Sequence, residues 1–511
     1  MHRPPTVEAE VADELAVVRP GLVSRYTAEL PGARAAVLTR LWRALAHEPL
    51  PWIARRGPGV LRLSDGRWLH GPVADPYATS AYVSAVRLDG VSYDDPARLM
   101  TGLAVPHGAY FASELAHSVA SLALSRAGQK GHPKEWPNWD WDWEWEQRVV
   151  DGHPFHPNCR SRPGFSVDEQ LAYGPEHSSH VRLGLMPVGA RECLVTGEWP
   201  DRMRDGERLL IPVHPWQAEH VLKRPLDLDA AAHPLMSLRT LALPGVRGPH
   251  VKTALSTRLT SSVRDISQWS ISTSAILSAF AEQMAARTDG LLHTTRTIGA
   301  ITAHSPDLAA VLRESPQVYG DQARGERVVP VAALATTELP RSPAWLADFA
   351  RLALTVGLRL LELGVALEAH GQNLLVVLSP TGAPLRLVYR DLADIRISPA
   401  RLARHGIPLP ELTGRVVTDD ETTLRRKLFG SLVAGALAGT AGSGTALRAA
   451  LETAVRDLPR TPDLVALLEE PLPTKALTLM RLSPGTPGDQ WAQLPNPLRS
   501  ETVLERDTFD Q

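Results

Sequence analysis

Apolar residues recur at helical spacing in three stretches of the first 130 residues, and the spacing predicts helices over 11–19, 34–46 and 109–125. Between them, residues 52–70 carry Gly-Pro breaks and short β-like pieces. From 151 to about 337 the pattern switches between β-like runs, notably 209–213 and 250–259, and loops or helices. A polar loop over 320–341, rich in Gly, Arg and Pro, leads into a strongly helical run at 343–367. A hairpin signature follows. Residues 374–378 and 385–389 are apolar, and Ser379-Pro380-Thr381-Gly382-Ala383-Pro384 between them supplies the turn. The chain then reads as mainly helical to about residue 482, and the last ~28 residues, rich in Pro, are expected to be loosely held.

Composition narrows the class. A chain of 511 residues that is 44% hydrophobic has ample material for a large core, and its length suggests about three domains or sub-domains. With 54 Lys+Arg against 56 Asp+Glu, it is not a strongly basic coat for nucleic acid, and disorder is disfavoured. Two cysteines, Cys159 and Cys193, make neither a disulfide framework nor a four-cysteine zinc site, which points to a reducing, cytoplasmic setting. The N-terminus has no apolar signal core, and the most apolar stretch, 352–367, contains Arg359 and Glu362. A soluble chain with no membrane or nucleic-acid partner is expected.

Several constellations carry chemistry. If Leu378 pairs with Leu385, Gln372 falls opposite Asp391 and Asn373 opposite Arg390, which gathers Glu368, His370, Gln372 and Asn373 near two charged residues. Carboxylates with an amide oxygen suit Mg²⁺ beside a nucleotide phosphate, and protein kinases use an analogous strand–turn–strand arrangement. In a strand through 250–259, Lys252, Ala254, Ser256, Arg258 and Thr260 share a face. Thr260 or Ser261 would then cap a helix starting near Val263, with Arg264 completing an anion site. Ser237-Leu238-Arg239-Thr240 adds a hydroxyl–cation pair. Gly152-His153-Pro154-Phe155-His156-Pro157-Asn158-Cys159-Arg160 forms a polar loop that suits phosphate better than zinc. Tryptophans at 139, 141, 143 and 145 alternate with acids at 140, 142, 144 and 146. That run reads as an inserted loop, a partner-covered strand, or an aromatic lip beside a ligand site. His214, between a β-like run and Pro215-Trp216, reads as a structural histidine. Gly439-Thr440-Ala441-Gly442-Ser443-Gly444 lacks the Lys-Ser/Thr of a phosphate-binding P-loop and reads as a helix break.

In order along the chain, these motifs resemble the siderophore synthetases that work without a nonribosomal peptide synthetase, the IucA/IucC family. The His-Pro-x-His-Pro-x-x-Lys-x-Arg-x-Gly-Phe pattern appears as His153 to Phe165, with Arg160 in place of the usual Lys. His214 to Gln217, Ser237 to Thr240, Lys252 with Thr260-Ser261 and Arg264, Glu368 to Asn373, Arg390-Asp391 and Lys475 to Leu482 supply the other elements. The resemblance implies an α+β, hand-like fold: a mainly helical thumb (1–135), fingers with ATP-phosphate loops (136–340) and a palm with a kinase-like nucleotide cradle (341–511). It implies an ATP-dependent ligase that adenylates a carboxylate, citrate or a related acid, and condenses it with an amine, hydroxylamine or alcohol. By position, His153, His156, Arg160, Ser237, Arg239, Lys252, Thr260, Ser261, Arg264, Gln372 and Asn373 would bind ATP. Glu368 and Asp391 would hold Mg²⁺. Arg264 and His370, near Thr260 and Ser261, would face the carboxylate and carry the chemistry. A homodimer is expected by the same analogy. The competing readings are a kinase-like phosphotransferase on a small molecule, a non-catalytic nucleotide- or carboxylate-binding protein, and a zinc amidohydrolase built on His153 and His156.

Overall fold

The computed structural model describes residues 6–129, 143–177, 179–226, 228–245, 247–260 and 262–499. Its N-terminal part packs the helices Val7–Val18, Val23–His47, Pro96–Leu103 and Gly108–Ala127 around a five-stranded antiparallel meander, Ile53–Gly57 to Val91–Tyr93. Local chemistry sets the helix starts. Thr6 accepts the Ala9 N–H, and Asp95 accepts from Ala97 and Arg98 with Pro96 in the first turn. The expected β-like pieces are present, and the meander continues past them. Val86–Leu88 and Val91–Tyr93 form a hairpin across Asp89-Gly90, both at positive φ (45° and 83°), the geometry a two-residue turn needs. Trp42, Tyr26 and Phe111 fill this core.

The middle of the chain builds a nine-stranded antiparallel sheet. The expected strand at 250–259 is two strands. His250–Thr253 lies in the large sheet, and Leu255–Leu259 turns away to pair with Ser262–Arg264. The helix expected near Val263 is therefore absent. Residues 262–264 are extended, and the helix begins at Gln268, capped by Ser267. Ser267 Oγ accepts the Ser270 N–H at 3.2 Å, which starts the helix after the chain has left the Arg264 strand.

A four-stranded sheet follows, in the order Leu292–Thr294, Pro384–Tyr389, Leu374–Leu378, Arg327–Pro330. Two of its strands come from before residue 341, so the middle and C-terminal segments share one core, which also buries the helix Pro343–Leu363. Gly364, at φ 105°, ends that helix, where a Cβ would lie 2.9 Å from the Ser398 carbonyl. The hairpin register is as the sequence implies from Leu374↔Tyr389 to Val377↔Arg386. A bulge then places Pro384, not Leu385, opposite Leu378. The C-terminal part is not uniformly loose: Trp491–Leu494 pairs with Leu472–Lys475, and the buried Asn496 amide donates to the carbonyls of Leu467 and Glu470. No helix among the described residues is long and apolar enough to cross a membrane.

Candidate active site

A cavity of about 1020 Å³ lies where the nine-stranded sheet, the hairpin end and the C-terminal helices meet. His153, His156, Arg160, Ser237, Arg239, Lys252, Thr260 and Arg264 line it from the middle of the chain. Glu368, His370, Gln372, Asn373 and Asp391 line it from the hairpin. Ser261 lies outside the described residues.

One end of the cavity is built around Asp391. Its carboxylate accepts from Lys252 Nζ at 2.7 and 2.9 Å and from Arg313 at 3.0 Å. Burial alone would raise its pKa, but Lys252 and Arg313 outweigh that and hold it well below the usual carboxylate range. Burial pushes Lys252 down to about 7, against the pull of Asp391. Arg239 is lowered to about 10 by burial and by the nearby Arg264 guanidinium. It donates to the carbonyls of Arg264 (2.7 Å) and Asp265 (2.9 Å), and so fixes the Ser262–Arg264 strand. Arg264 donates to Thr260 Oγ1 at 3.0 Å, with Thr260 at φ 56°. Ser237 Oγ accepts the Thr240 N–H at 3.2 Å and shapes the loop that carries Arg239.

A second carboxylate, Glu368, accepts from Lys475 (2.9 Å) and Lys427 (3.1 Å). These two lysines overcome burial and bring its pKa down to about 2. The fully buried Tyr389 joins the two acidic residues through the backbone: its hydroxyl accepts the Glu368 N–H at 3.2 Å and donates to the Asp391 carbonyl at 3.3 Å. Asp391 sits at φ 71°, which carboxamides and carboxylates tolerate better than most side chains. Both carboxylates are ionised, hard oxygen donors, the right chemistry for Mg²⁺, which commonly takes one or two carboxylates beside phosphate oxygens and water. With His370 they do not bring three ligand atoms within 4.8 Å of one another.

Three histidines face the cavity in one protonation state. His153 Nδ1 accepts the N–H groups of Phe155 and His156, both at 3.1 Å. His156 Nδ1 accepts from Asn158 at 3.0 Å, and His370 Nδ1 from Gln372 at 3.3 Å. Burial lowers all three pKa values, His156 to about 3. Each neutral ring thus carries its proton on Nε2 and is a hydrogen-bond donor, suited to anionic oxygens. No cluster of His153, His156 and Cys159 with metal-ligand spacing forms among the described residues.

The remaining expected residues make contacts within the protein. Arg160 is buried and donates to the carbonyls of Val149 and Val150 (2.6 Å to the latter), with Glu176 at 3.5 Å. It borders the cavity while its guanidinium makes these protein contacts. Asn373 Nδ2 donates to the Glu368 carbonyl, and the Gln372 carbonyl accepts from Arg390 Nε at 3.0 Å. His214 is structural, as expected: it is fully buried and caps the turn at Trp216. Residues 136–142 of the Trp-acid run lie outside the described residues. Trp143–Gln147 is a short helix rather than a strand, with Trp145 buried in the core.

Several functional neighbours had no local signal. Arg313 is a lone cation at a strand end, and Lys427 sits mid-helix. The N-terminal helices brace the His153 loop: Arg40 Nε donates to the His153 carbonyl (3.1 Å), Ser118 to that of Pro157 (2.9 Å), and Glu114 accepts from Asn158 (2.8 Å).

The IucA / IucC family model matches residues 142–336. The model described as ferric iron reductase FhuF-like transporter matches residues 343–488, a region without cysteine. The citryl-spermidine/3,4-dihydroxybenzoyl-citryl-spermidine:spermidine ligase of Bacillus anthracis is 25% identical over 312 residues, 48% of this chain and 50% of that one. The chain spans about half the length of the curated relatives it matches. In three dimensions the IucA/IucC likeness is wider. Petrobactin biosynthesis protein AsbB from Bacillus anthracis superposes with a TM-score of 0.76 at 18% identity, covering 94% of this chain and 98% of that one. ATP-bound aerobactin synthetase IucA from Klebsiella pneumoniae gives 0.68 at 19% identity, covering 91% and 99%. The mixed α/β fold is that of these proteins.

Proposed function

We propose that this chain is an ATP-dependent ligase of siderophore biosynthesis that activates a carboxylate of citrate, or of a citrate-like acid, as an acyl-adenylate and joins it to an amine, hydroxylamine or alcohol. The observation that carries the reading is the convergence, in one cavity, of Arg239, Lys252, Arg264 and Arg313 with Glu368, Asp391 and the donor His370. Adenylation brings two anions together, so the site needs fixed cations and N–H donors where charge gathers. A phosphotransferase needs them too, but the IucA/IucC match and the citryl amide ligase among the relatives favour the adenylating reaction. In this reading the carboxylate oxygen attacks the α-phosphorus, pyrophosphate leaves, and the nucleophile then attacks the acyl carbon and releases AMP.

The chain's own residues divide the work. Lys252, Arg239 and Arg313 hold phosphate oxygens, with His153 and His156 donating from Nε2. Glu368 and Asp391 are the residues for Mg²⁺, which would neutralise phosphate charge and polarise it for attack. Arg264, steadied by Thr260, and His370 orient the carboxylate. Because Nδ1 of His370 is already an acceptor, its cavity-facing nitrogen donates, which favours orienting over removing a proton. The hand-like description, with a kinase-like cradle in the palm, fits a hairpin whose end meets a sheet of cations. Incubation with ATP, Mg²⁺, citrate and hydroxylamine tests the reading: AMP, pyrophosphate and a citrate hydroxamate are expected, whereas citrate-dependent ADP without pyrophosphate overturns it.

A further inference from the structure

Glu146, the last acid of the Trp-acid run, is almost fully buried, at 2% exposure. One carboxylate oxygen lies 2.6 Å from Arg390, itself 8% exposed. The other accepts the Met236 N–H at 3.1 Å. Arg390 ties down the hairpin end from both sides: its N–H donates to the Asn373 carbonyl and its Nε to the Gln372 carbonyl, both at 3.0 Å. Met236 precedes Ser237 in the loop that aims Arg239, and that loop holds Leu238 at φ 67°. The neighbouring tryptophans fix Glu146 in place. Trp145 is buried in the core with Phe155 and Val331, and Trp143 stacks on His233 of the nine-stranded sheet, with ring centres 3.7 Å apart.

We propose that Glu146 is a positioning residue that latches the 235–240 loop to the Arg390-Asp391 end of the hairpin, so that one carboxylate sets both halves of the nucleotide site. The physical argument is reach and charge. A single buried carboxylate satisfies a strained loop's backbone donor and a buried guanidinium at once. Remove the charge, and Arg390 must seek another acceptor while the loop loses its anchor. The two halves of the site then lose their common reference. The alternation of Trp and acid is thereby explained at its C-terminal end: one tryptophan faces the sheet, one faces the core, and the acid between core and site is the latch.

Glu146→Gln in the full chain tests this, with two readouts. The first is amide hydrogen exchange in the ligand-free protein. Exchange over 235–240 and 370–374 is expected to quicken by about tenfold or more, while the N-terminal meander is unchanged. The second is the affinity for α,β-methylene-ATP with Mg²⁺, expected to weaken by about tenfold, with the double variant Glu146→Gln/Arg390→Gln no worse than the Arg390→Gln single. A general loss of stability would quicken exchange everywhere and would not give that non-additivity. Unchanged exchange over 235–240 overturns the latch, as does additive loss in the double variant. The latch also rests on the ligase reading: if the wild-type chain binds no nucleotide, that reading fails, and the exchange arm still decides whether Glu146 holds the loop.

Discussion

The N-terminal segment carries no motif, yet the structure makes it a support for the His153 loop, and Glu114→Gln tests that role. Glu114 accepts from both Arg481 Nε, at 2.8 Å, and Arg481 Nη2, and from Asn158 Nδ2 at 2.8 Å. The side chains of Glu114 and Arg481 are 11% and 6% exposed. At an effective dielectric of 20, the attraction at 2.8 Å is about 6 kcal/mol before desolvation. Breaking a buried pair by removing one partner typically costs about 3–5 kcal/mol, because the other charge stays buried. Glutamine keeps an acceptor, so we expect the lower end, about 3 kcal/mol. For 511 residues the unfolding entropy is about 1.1 kcal/mol per kelvin. The melting temperature should therefore fall by about 3 °C if the whole chain melts together. If the first 127 residues melt alone, the same loss lowers their transition by about 10 °C. Calorimetry separates these cases. The double variant Glu114→Met/Arg481→Met, with no charge left to strand, should recover most of the loss. A Glu114→Gln protein that melts within about 1 °C of wild type would refute the argument, as would a double variant worse than the single.

Other expectations are as direct. Burial pushes Glu48 up to about 7, against the Leu479 and Thr478 N–H groups it accepts from. Since the folded pKa lies above the unfolded one, its contribution is fully present below about pH 4.5 and is lost as pH rises through 7, about 3 kcal/mol in all. Glu48→Gln should flatten that slope in thermal melts between pH 5 and 8, and an unchanged slope would contradict it. His370→Ala should lower citrate-dependent pyrophosphate release by about 10²-fold or more; normal adenylation with only the amide-forming step slowed would instead restore His370 as a base. Arg160→Lys, which installs the residue usual in the family, cannot reach both Val149 and Val150 carbonyls together with Glu176. It should cost about 1–2 kcal/mol of stability, and an unshifted melting curve would show that those contacts carry no weight.

What the sequence revealed follows from which signals are local. The hairpin was legible to the register because its apolar strands and turn formers lie within sixteen residues, 374–389. The bulge at Leu378 was not, because it answers to the sheet's twist rather than to any residue pattern. The pattern at 250–259 suggests one continuous strand with a helix after it, because hydroxyls at 260–262 mimic a cap; the flanking residues instead pair as a small hairpin held by Arg239. The ring donors His153, His156 and His370 were identifiable by motif, whereas their protonation state depended on backbone N–H groups that only the fold supplies. Arg313 and Lys427 stayed invisible for the same reason: their partners, Asp391 and Glu368, are distant in the chain.

The central claim is that a carboxylate is joined to AMP before the new bond forms. Citrate labelled with ¹⁸O in its carboxylates, incubated with ATP, Mg²⁺ and hydroxylamine, puts it to the most direct test. Attack of the carboxylate on the α-phosphorus must carry one labelled oxygen into the AMP phosphate when the acyl group leaves. We expect singly labelled AMP in step with hydroxamate. Unlabelled AMP would contradict the adenylate, and label in inorganic phosphate beside ADP would place activation at the γ-phosphate instead.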